Sequence, residues 1–397
     1  MTDSCFTPLE QPATIATSRR GLSIGFPACD HPSERRFPLT PEGGARLIEL
    51  GFRVRVESGA AAPIHYTDNQ YLRAGCDVVS RDEALRSDIV IHTSPLALRD
   101  IRHLRRGAML LTLLAPTLQE PAAIRALMER HTIAIALDLV EDAAGNRPFA
   151  DILAEIDGRA AMAMAASLLA DSEHGKGILL GGIAGINPCE VAILGSDIAA
   201  CSAARTAIGM GAIVRMFDTD VYSLRRAARE LGPGLICSDM HPRVVSGALR
   251  TADVIVASAG INPRWRLDCD EAALLKRGVL VFDLTGAEAG ARPFPSMQPI
   301  ELACAGAYKA RRPEGYRVCY INAGSAVPRT CAMALGNTLV TMLSEIYTCD
   351  GVSNALKLLP GLRKAAYIFL GHIVNEKIGQ RAGVRALDIN IYLTSLS

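Results

Sequence analysis

The chain reads as an α/β protein built on two doubly wound parallel sheets, and three observations predict this. Its 397 residues exceed what one hydrophobic core usually holds, so two domains are expected. Short runs rich in Val, Ile and Leu alternate with helical stretches, the pattern of strand–helix–strand units. That alternation comes in two series, one from Gly21 to about Asp138 and one from Glu190 to Asn322.

In the first series, Leu22–Phe26, Phe52–Glu57, Cys76–Val79, Asp88–Thr93, Ala108–Leu114 and Thr132–Asp138 read as strands. Helices are expected between them, notably over Pro41–Gly51 and Gln119–His131. Thr40 would cap the first of these, with Pro41 at its first position. In the second series the strands are Glu190–Leu194, Ala212–Asp218, Gly234–Asp239, Asp253–Ala259, Val279–Thr285 and Val318–Asn322. Helices over Ile198–Met210, Val221–Leu231, Pro242–Thr251 and Glu271–Arg277 join them, again a doubly wound pattern. Two further helices, Ala326–Tyr347 and about Lys364–Arg381, follow with no strand between, and are expected to pack back onto the first domain. The first twenty residues have no periodicity and read as a loose arm.

Composition narrows the function class. Lys and Arg number 42 against 41 Asp and Glu, so neither a nucleic-acid partner nor an acidic disordered tail is expected. Residues are 49% apolar and 21% charged, as in a globular protein. The eleven cysteines stand singly, without a CxxC pair or metal-ligand spacing, which argues against a zinc site and for reduced thiols. No apolar segment heads the chain, and the apolar run Ala160–Ala170 is far below the roughly 20 residues a span needs. A cytoplasmic protein with no membrane partner is expected.

The stretch Glu190-Val-Ala-Ile-Leu-Gly195-Ser-Asp-Ile-Ala-Ala200 is a strand running into a helix, and Asp218 closes the next strand. A dinucleotide site of the Rossmann type needs a first glycine for the tight turn and a second where the pyrophosphate meets the backbone. It also needs a third small residue for helix packing, and an acid about 20 residues on for the ribose. Gly195, Ala200 and Asp218 meet three of these needs, but Asp197 replaces the second glycine. A carboxylate there can cap the helix and occupy the place of a phosphate, or turn outward and leave the seat open. The expected cofactor is NAD, with Gly195, Ser196, Asp197, Ala200, Asp218 and Asn322 as the contacting residues.

Several segments together resemble one family. They are Phe26-Pro27, Glu34-Arg-Arg36-Phe-Pro-Leu-Thr-Pro41, Glu155-Ile-Asp-Gly-Arg159, Gly181-Gly-Ile-Ala-Gly185 and Gly324-Ser-Ala-Val-Pro-Arg-Thr330. They are similar to segments of alanine dehydrogenase and its relatives, the nicotinamide-nucleotide transhydrogenases and saccharopine dehydrogenases, from about Leu22 to Val384. The resemblance implies a nucleotide domain (151–324) inserted in a substrate domain (1–150 with 325–397), and a homo-oligomer, dimer or hexamer. It also implies a cleft site for a small amino-acid-like substrate.

Carried over residue by residue, the resemblance makes Arg36 the substrate-carboxylate arginine, with Glu34 kept beside it. Ser94 stands where the family has its lysine, Ala115 where it has its histidine, and Ala287 where it has an aspartate near the nicotinamide. Serine and alanine do not titrate near neutral pH, and losing one positioned acid or base typically costs about 10²–10⁴-fold. The parent reaction is therefore not expected. The catalytic candidates are Ser94 itself, His92 two positions away, and Glu288 beside the vacated aspartate position. A lone histidine at a strand end is more often a hydrogen-bonded structural residue, Arg329 is equally a packing salt bridge, and Cys29 is ordinarily a buried free thiol. The expected function is a divergent nicotinamide-dependent oxidoreductase acting on an amino- or imino-acid-like substrate in a specialised pathway. The alternative is a catalytically silent or non-redox member that binds a ligand or partner protein.

Overall fold

Each series of apolar runs closes into its own sheet. A computed structural model of the chain describes residues 21–31, 34–115, 118–173, 175–303, 318–349, 352–390 and 393. The expectation for the first twenty residues lies outside them. The first sheet takes β1 (Ser23–Phe26), β2 (Arg53–Glu57), β3 (Asp77–Val79), β4 (Ile89–Ile91), β5 (Met109–Thr112) and β6 (Ile133–Ala136). The second takes β7 (Glu190–Leu194), β8 (Ile213–Asp218), β9 (Leu235–Asp239), β10 (Val254–Ser258), β11 (Leu280–Leu284), β12 (Gln298–Glu301) and β13 (Val318–Ile321). Near the end of the chain, β14 (Ala366–Phe369) and β15 (His372–Ile373) return to the first sheet.

The orders are β15-β14-β6-β5-β4-β1-β2-β3 and β12-β13-β11-β10-β7-β8-β9. The strand order reverses between β1 and β4 in the first sheet and between β7 and β10 in the second. In open α/β sheets the crevice outside the strand ends at such a reversal is where ligands bind. All four residues of β1, β5 and β6 and all five of β10 are buried. Parallel strands covered by helices on both faces read as continuous apolar runs for this reason. No helix among the described residues is long and apolar enough to cross a membrane.

Thr40 caps the helix Pro41–Glu49 as its sequence predicts, its hydroxyl accepting the Gly43 amide at 3.2 Å. The expectation of one helix over Lys364–Arg381 is corrected. Ala366-Tyr-Ile-Phe is a buried aromatic and β-branched run that pairs antiparallel with β6. Leu370 (φ +47°) and Gly371 (φ +87°) form the two-residue turn to β15, both in the left-handed region that such hairpins require. A helix resumes only at Glu376–Ala382, capped by Asn375.

Several elements escape the sequence reading, among them the short helices Val352–Leu358 and Pro360–Lys364. β12 is a short edge strand containing Pro299. The helix Pro148–Ala170 belongs to both cores: Phe149 and Leu153 pack with Ile24, Val54 and Leu335, whereas Ala160, Ala165 and Leu168 pack with Val191 and Ala203. Pro328–Thr348 then carries the chain back to the first core through Leu335, Leu339 and Leu343.

Where the shared helix crosses the helix Ile198–Gly209, Gly158 allows the two backbones to touch. A Cβ at this position would lie 2.2 Å from the Ala199 carbonyl oxygen and 2.9 Å from the Ala203 nitrogen. Gly158→Val is expected to destabilise the chain by about 1–3 kcal/mol through overpacking. Urea unfolding measures this, and an unchanged midpoint would show that the helices do not meet so closely.

Candidate functional site

The carboxyl ends of the two sheets face a common cleft of about 400 Å³. From the first sheet come His31, Glu34 and Arg36 after β1, Ser94 after β4 and Leu118 after β5. Opposite lie Asp283 to Ala287 at the end of β11, Arg292, Glu301 at the end of β12, and Ile321 to Ala323 at the end of β13. Asp157 of the shared helix closes the floor. A neighbouring cavity of about 580 Å³ shares His31, Ser94 and Leu118 and runs on past Cys29, His92, Arg81 and Arg381.

Arg36 is the cation of this cleft, and its side chain is only 12% exposed. Glu34 grips it in a fork. Nε donates to Oε1 at 2.8 Å and to Oε2 at 3.0 Å, Nη2 donates to Oε2 at 2.5 Å, and the Arg36 amide donates to Oε1 at 2.8 Å. Burial works against the guanidinium charge, but Glu34's charge and hydrogen bonds and the charge of Asp157 more than offset it. Glu34 is itself held, since the Ser325 hydroxyl donates to Oε1 at 3.4 Å. That hydroxyl also accepts the Arg35 amide at 2.8 Å, so the loop after β1 is fastened to the start of the returning helix.

Asp157 is the group that sequence reasoning missed. Its Oδ1 accepts the Gly324 amide at 2.6 Å. Burial pushes its carboxyl above the ordinary value, although the Arg36 charge and the Gly324 hydrogen bond pull the other way. It lies inside the quoted segment Glu155–Arg159, but only the fold brings it to Arg36. Asp283, in the expected strand Val279–Thr285, could have been found from its place at a strand end. It is 5% exposed, and its Oδ1 accepts both the Thr285 amide and the Thr285 hydroxyl.

The remaining candidates divide. Ser94 lines both cavities and is 7% exposed. His92 lines only the neighbouring cavity, with Nδ1 2.5 Å from the Ser94 carbonyl oxygen and Nε2 3.2 Å from that of Ala28. Glu288 is exposed and lies outside the cleft lining, where Gly286 and Ala287 face inward instead. Asn322 lines the cleft with a left-handed backbone (φ +56°), and Ala115, at the end of β5, is also left-handed (φ +33°). Non-glycine residues in that region are strained and cluster at functional sites. Arg329 stacks over the Tyr66 ring at 4.6 Å rather than entering the cleft. Burial raises the Cys29 thiol above its ordinary value.

Arg81 anchors the strand-end loop from below. Nε and Nη2 donate to the two Asp100 oxygens at 2.9 Å each, and Nη1 donates to Glu57 Oε2 and the Ala28 carbonyl at 3.1 Å. Burial alone would raise Asp100, but Arg81 outweighs it and holds the carboxyl below the ordinary range.

The β7 turn has the parts of a dinucleotide fingerprint. Gly195 sits at φ +106°, where a Cβ would meet the Ser258 hydroxyl at 2.2 Å. Ala200 is fully buried, and Asp218 ends β8 with 7% exposure. Its Oδ2 accepts the Ser196 hydroxyl at 2.5 Å, and its Oδ1 the Asp220 amide at 2.9 Å. Asp197 caps the following helix, Oδ1 accepting the Ala200 amide at 2.9 Å while Oδ2 accepts the Gly260 amide at 2.6 Å. The groups present fit a dinucleotide at Gly195, Ala200 and Asp218, and at Asp197 the protein supplies an anion of its own.

Comparison with known proteins agrees with this architecture. Residues 25–156 match the description "Alanine dehydrogenase/PNT, N-terminal domain" and residues 161–376 its C-terminal counterpart. Alanine dehydrogenase of Mycobacterium tuberculosis (strain ATCC 25618 / H37Rv) is 27% identical, over 91% of this chain and 97% of that protein. That of Bilophila wadsworthia is 30% identical, over 82% and 88%. A solved L-alanine dehydrogenase superposes with a TM-score of 0.79 at 23% identity, covering 91% of this chain and 99% of the other. The chain belongs to the alanine dehydrogenase/PNT family, a family of the NAD-dependent oxidoreductase kind.

Proposed function

We propose that this chain is a nicotinamide-dependent oxidoreductase for a small amino- or imino-acid-like substrate, serving a specialised pathway with proton chemistry unlike that of alanine dehydrogenase. The observation that carries the reading is the presence of Arg36 and Asp157 in one cleft between the strand ends of both sheets, close enough for their charges to act on each other. When bound along the second sheet, the nicotinamide supplies or accepts the hydride. Gly195, Ala200 and Asp218 hold the adenosine end, and Asn322 borders the cleft at the other.

Arg36 grips the substrate carboxylate. Glu34 fixes one edge of its guanidinium, and the donors left over point the charge at the substrate. Asp157 holds or accepts the proton, because a desolvated carboxyl beside a cation can exchange protons nearer neutrality than a solvated one. Ser94 supplies a hydroxyl where the family resemblance implies a lysine. His92, engaged by two main-chain carbonyls, orients the Ser94 loop. Self-association is supported by an exposed apolar stretch in which Leu179, Ile183 and Ile186 are 61–64% exposed. The nine described cysteines are free thiols, in keeping with a cytoplasmic setting. Asp197's own hold on the crevice favours the second reading, a silent member that binds a ligand without turnover.

Three outcomes test the reading. Wild-type protein is expected to aminate pyruvate with NADH at trace level only; robust turnover would return it to alanine dehydrogenase. NADH should bind more tightly than NADPH, by about tenfold or more, because a 2′-phosphate would meet the Asp218 carboxylate. Tighter NADPH binding in a fluorescence titration would remove Asp218 from the ribose. Finally, a panel of 2-amino and 2-oxo acids should include one that raises the melting temperature. Arg36→Gln should weaken that acid by about tenfold or more while leaving NADH affinity unchanged. An equal response in the variant would dismiss Arg36 as the carboxylate ligand.

A further inference from the structure

Two neighbouring side chains of the β7 turn fill the places that a dinucleotide needs. The Ala200 amide lies in the first turn of the helix Ile198–Gly209, where free amides and the helix dipole attract a pyrophosphate. The Gly260 amide follows β10, on the far side of the reversal point. One carboxylate takes both: Asp197 Oδ1 accepts from Ala200 and Oδ2 from Gly260, at 2.9 and 2.6 Å. The Asp197 side chain therefore spans the crevice instead of pointing along its wall. Its contact with Gly260 is close, since a Cβ on that glycine would lie 3.3 Å from the Asp197 Cβ. One residue earlier, the Ser196 hydroxyl donates to Asp218 Oδ2, as a ribose hydroxyl would.

We propose that Asp197 is an internal anion that holds the dinucleotide crevice shut, with Ser196 as its companion on Asp218, so that cofactor binds only by displacing the carboxylate. This deepens the oxidoreductase reading and rests on it. A carboxylate and a pyrophosphate cannot share the same two amides: like charges about 4 Å apart, at an effective dielectric near 20, weaken binding by about a hundredfold or more. Displacement has a route, because Asp197 is half-exposed and other staggered χ1 rotamers turn its carboxylate away from the two amides. It frees the Ala200 and Gly260 amides together, and both then face the incoming phosphates. The cap on the helix is lost in the same movement, so the bound state exchanges one anion for another.

The test is calorimetric titration of the whole chain with NADH and, separately, with inorganic pyrophosphate, for wild type, Asp197→Gly and Asp197→Asn. The glycine variant is expected to bind NADH more tightly than wild type, by about a hundredfold or more, and to gain measurable pyrophosphate binding. The asparagine variant keeps a capping oxygen without the charge and should gain several-fold, which preserves the test if the glycine variant folds poorly. Micromolar NADH binding by wild type with no gain in either variant overturns the internal anion and leaves the oxidoreductase reading standing. Pyrophosphate binding confined to the variants, with no NADH binding by any protein, keeps the internal anion and removes the oxidoreductase reading. Absence of both ligands from all three proteins overturns the two together.

Discussion

The cleft depends on one helix that serves two cores. Pro148–Ala170 enters among the apolar residues of the first sheet and leaves among those of the second, so its register sets how the two sets of strand ends face each other. Consecutive residues on a helix point about 100° apart. Asp157 therefore faces the cleft while Gly158, the next residue, lies against the backbone of the neighbouring helix. The close approach at the glycine fixes the rotation that delivers the carboxylate. A helix free to roll or slide there could not keep Asp157 beside Arg36 and under the Gly324 amide.

The electrostatics of the cleft follow from burial. A guanidinium withdrawn from water must be paired, and Glu34, two residues away, pairs it along one edge. The pair spends only part of the guanidinium's donor capacity, because Arg carries five N–H donors. The same low-dielectric surroundings act oppositely on the neighbouring acid and push the Asp157 carboxyl up. One environment thus yields a fixed cation and a carboxyl with an altered proton affinity. The second sheet obeys the same rule of satisfied polar groups, except that its turn residues satisfy one another: Ser196 with Asp218, and Asp197 with two amides.

Much of this was legible in the amino-acid order, for identifiable reasons. Strands such as Ile89–Ile91 and Val254–Ser258 are buried on both faces and appear as unbroken apolar runs. The turn at Gly195 was legible because a left-handed backbone there favours glycine, and Asp218 because it closes the next strand. Arg36, Glu34 and Ser94 were legible through their motif and do line one cleft. Pro148–Ala170 was hidden because it is apolar nearly all round, being buried on several sides, and so carries no single stripe. β12 was hidden by its proline and edge position, and the β14–β15 hairpin by polar neighbours that look helical. Asp157 was hidden for a deeper reason. Its meeting with Arg36 is a product of the tertiary fold, and no local pattern encodes it.

The return of β14 to β6 sets the order in which the molecule can be completed as it leaves the ribosome. The strands of the second sheet are contiguous in the chain, from Glu190 to Ile321, so that sheet can close while the rest is still being synthesised. The first sheet gains β14 and β15 only after Ala366 to Ile373 have emerged, and until then the outer edge of β6 lacks its partner. An unpaired, apolar strand edge is a template for pairing with another chain. That edge stays open from the emergence of β6, through the synthesis of the whole second sheet, until the arrival of Tyr367. Truncation near the carboxyl terminus, far in sequence from Arg36, would prolong that exposure indefinitely.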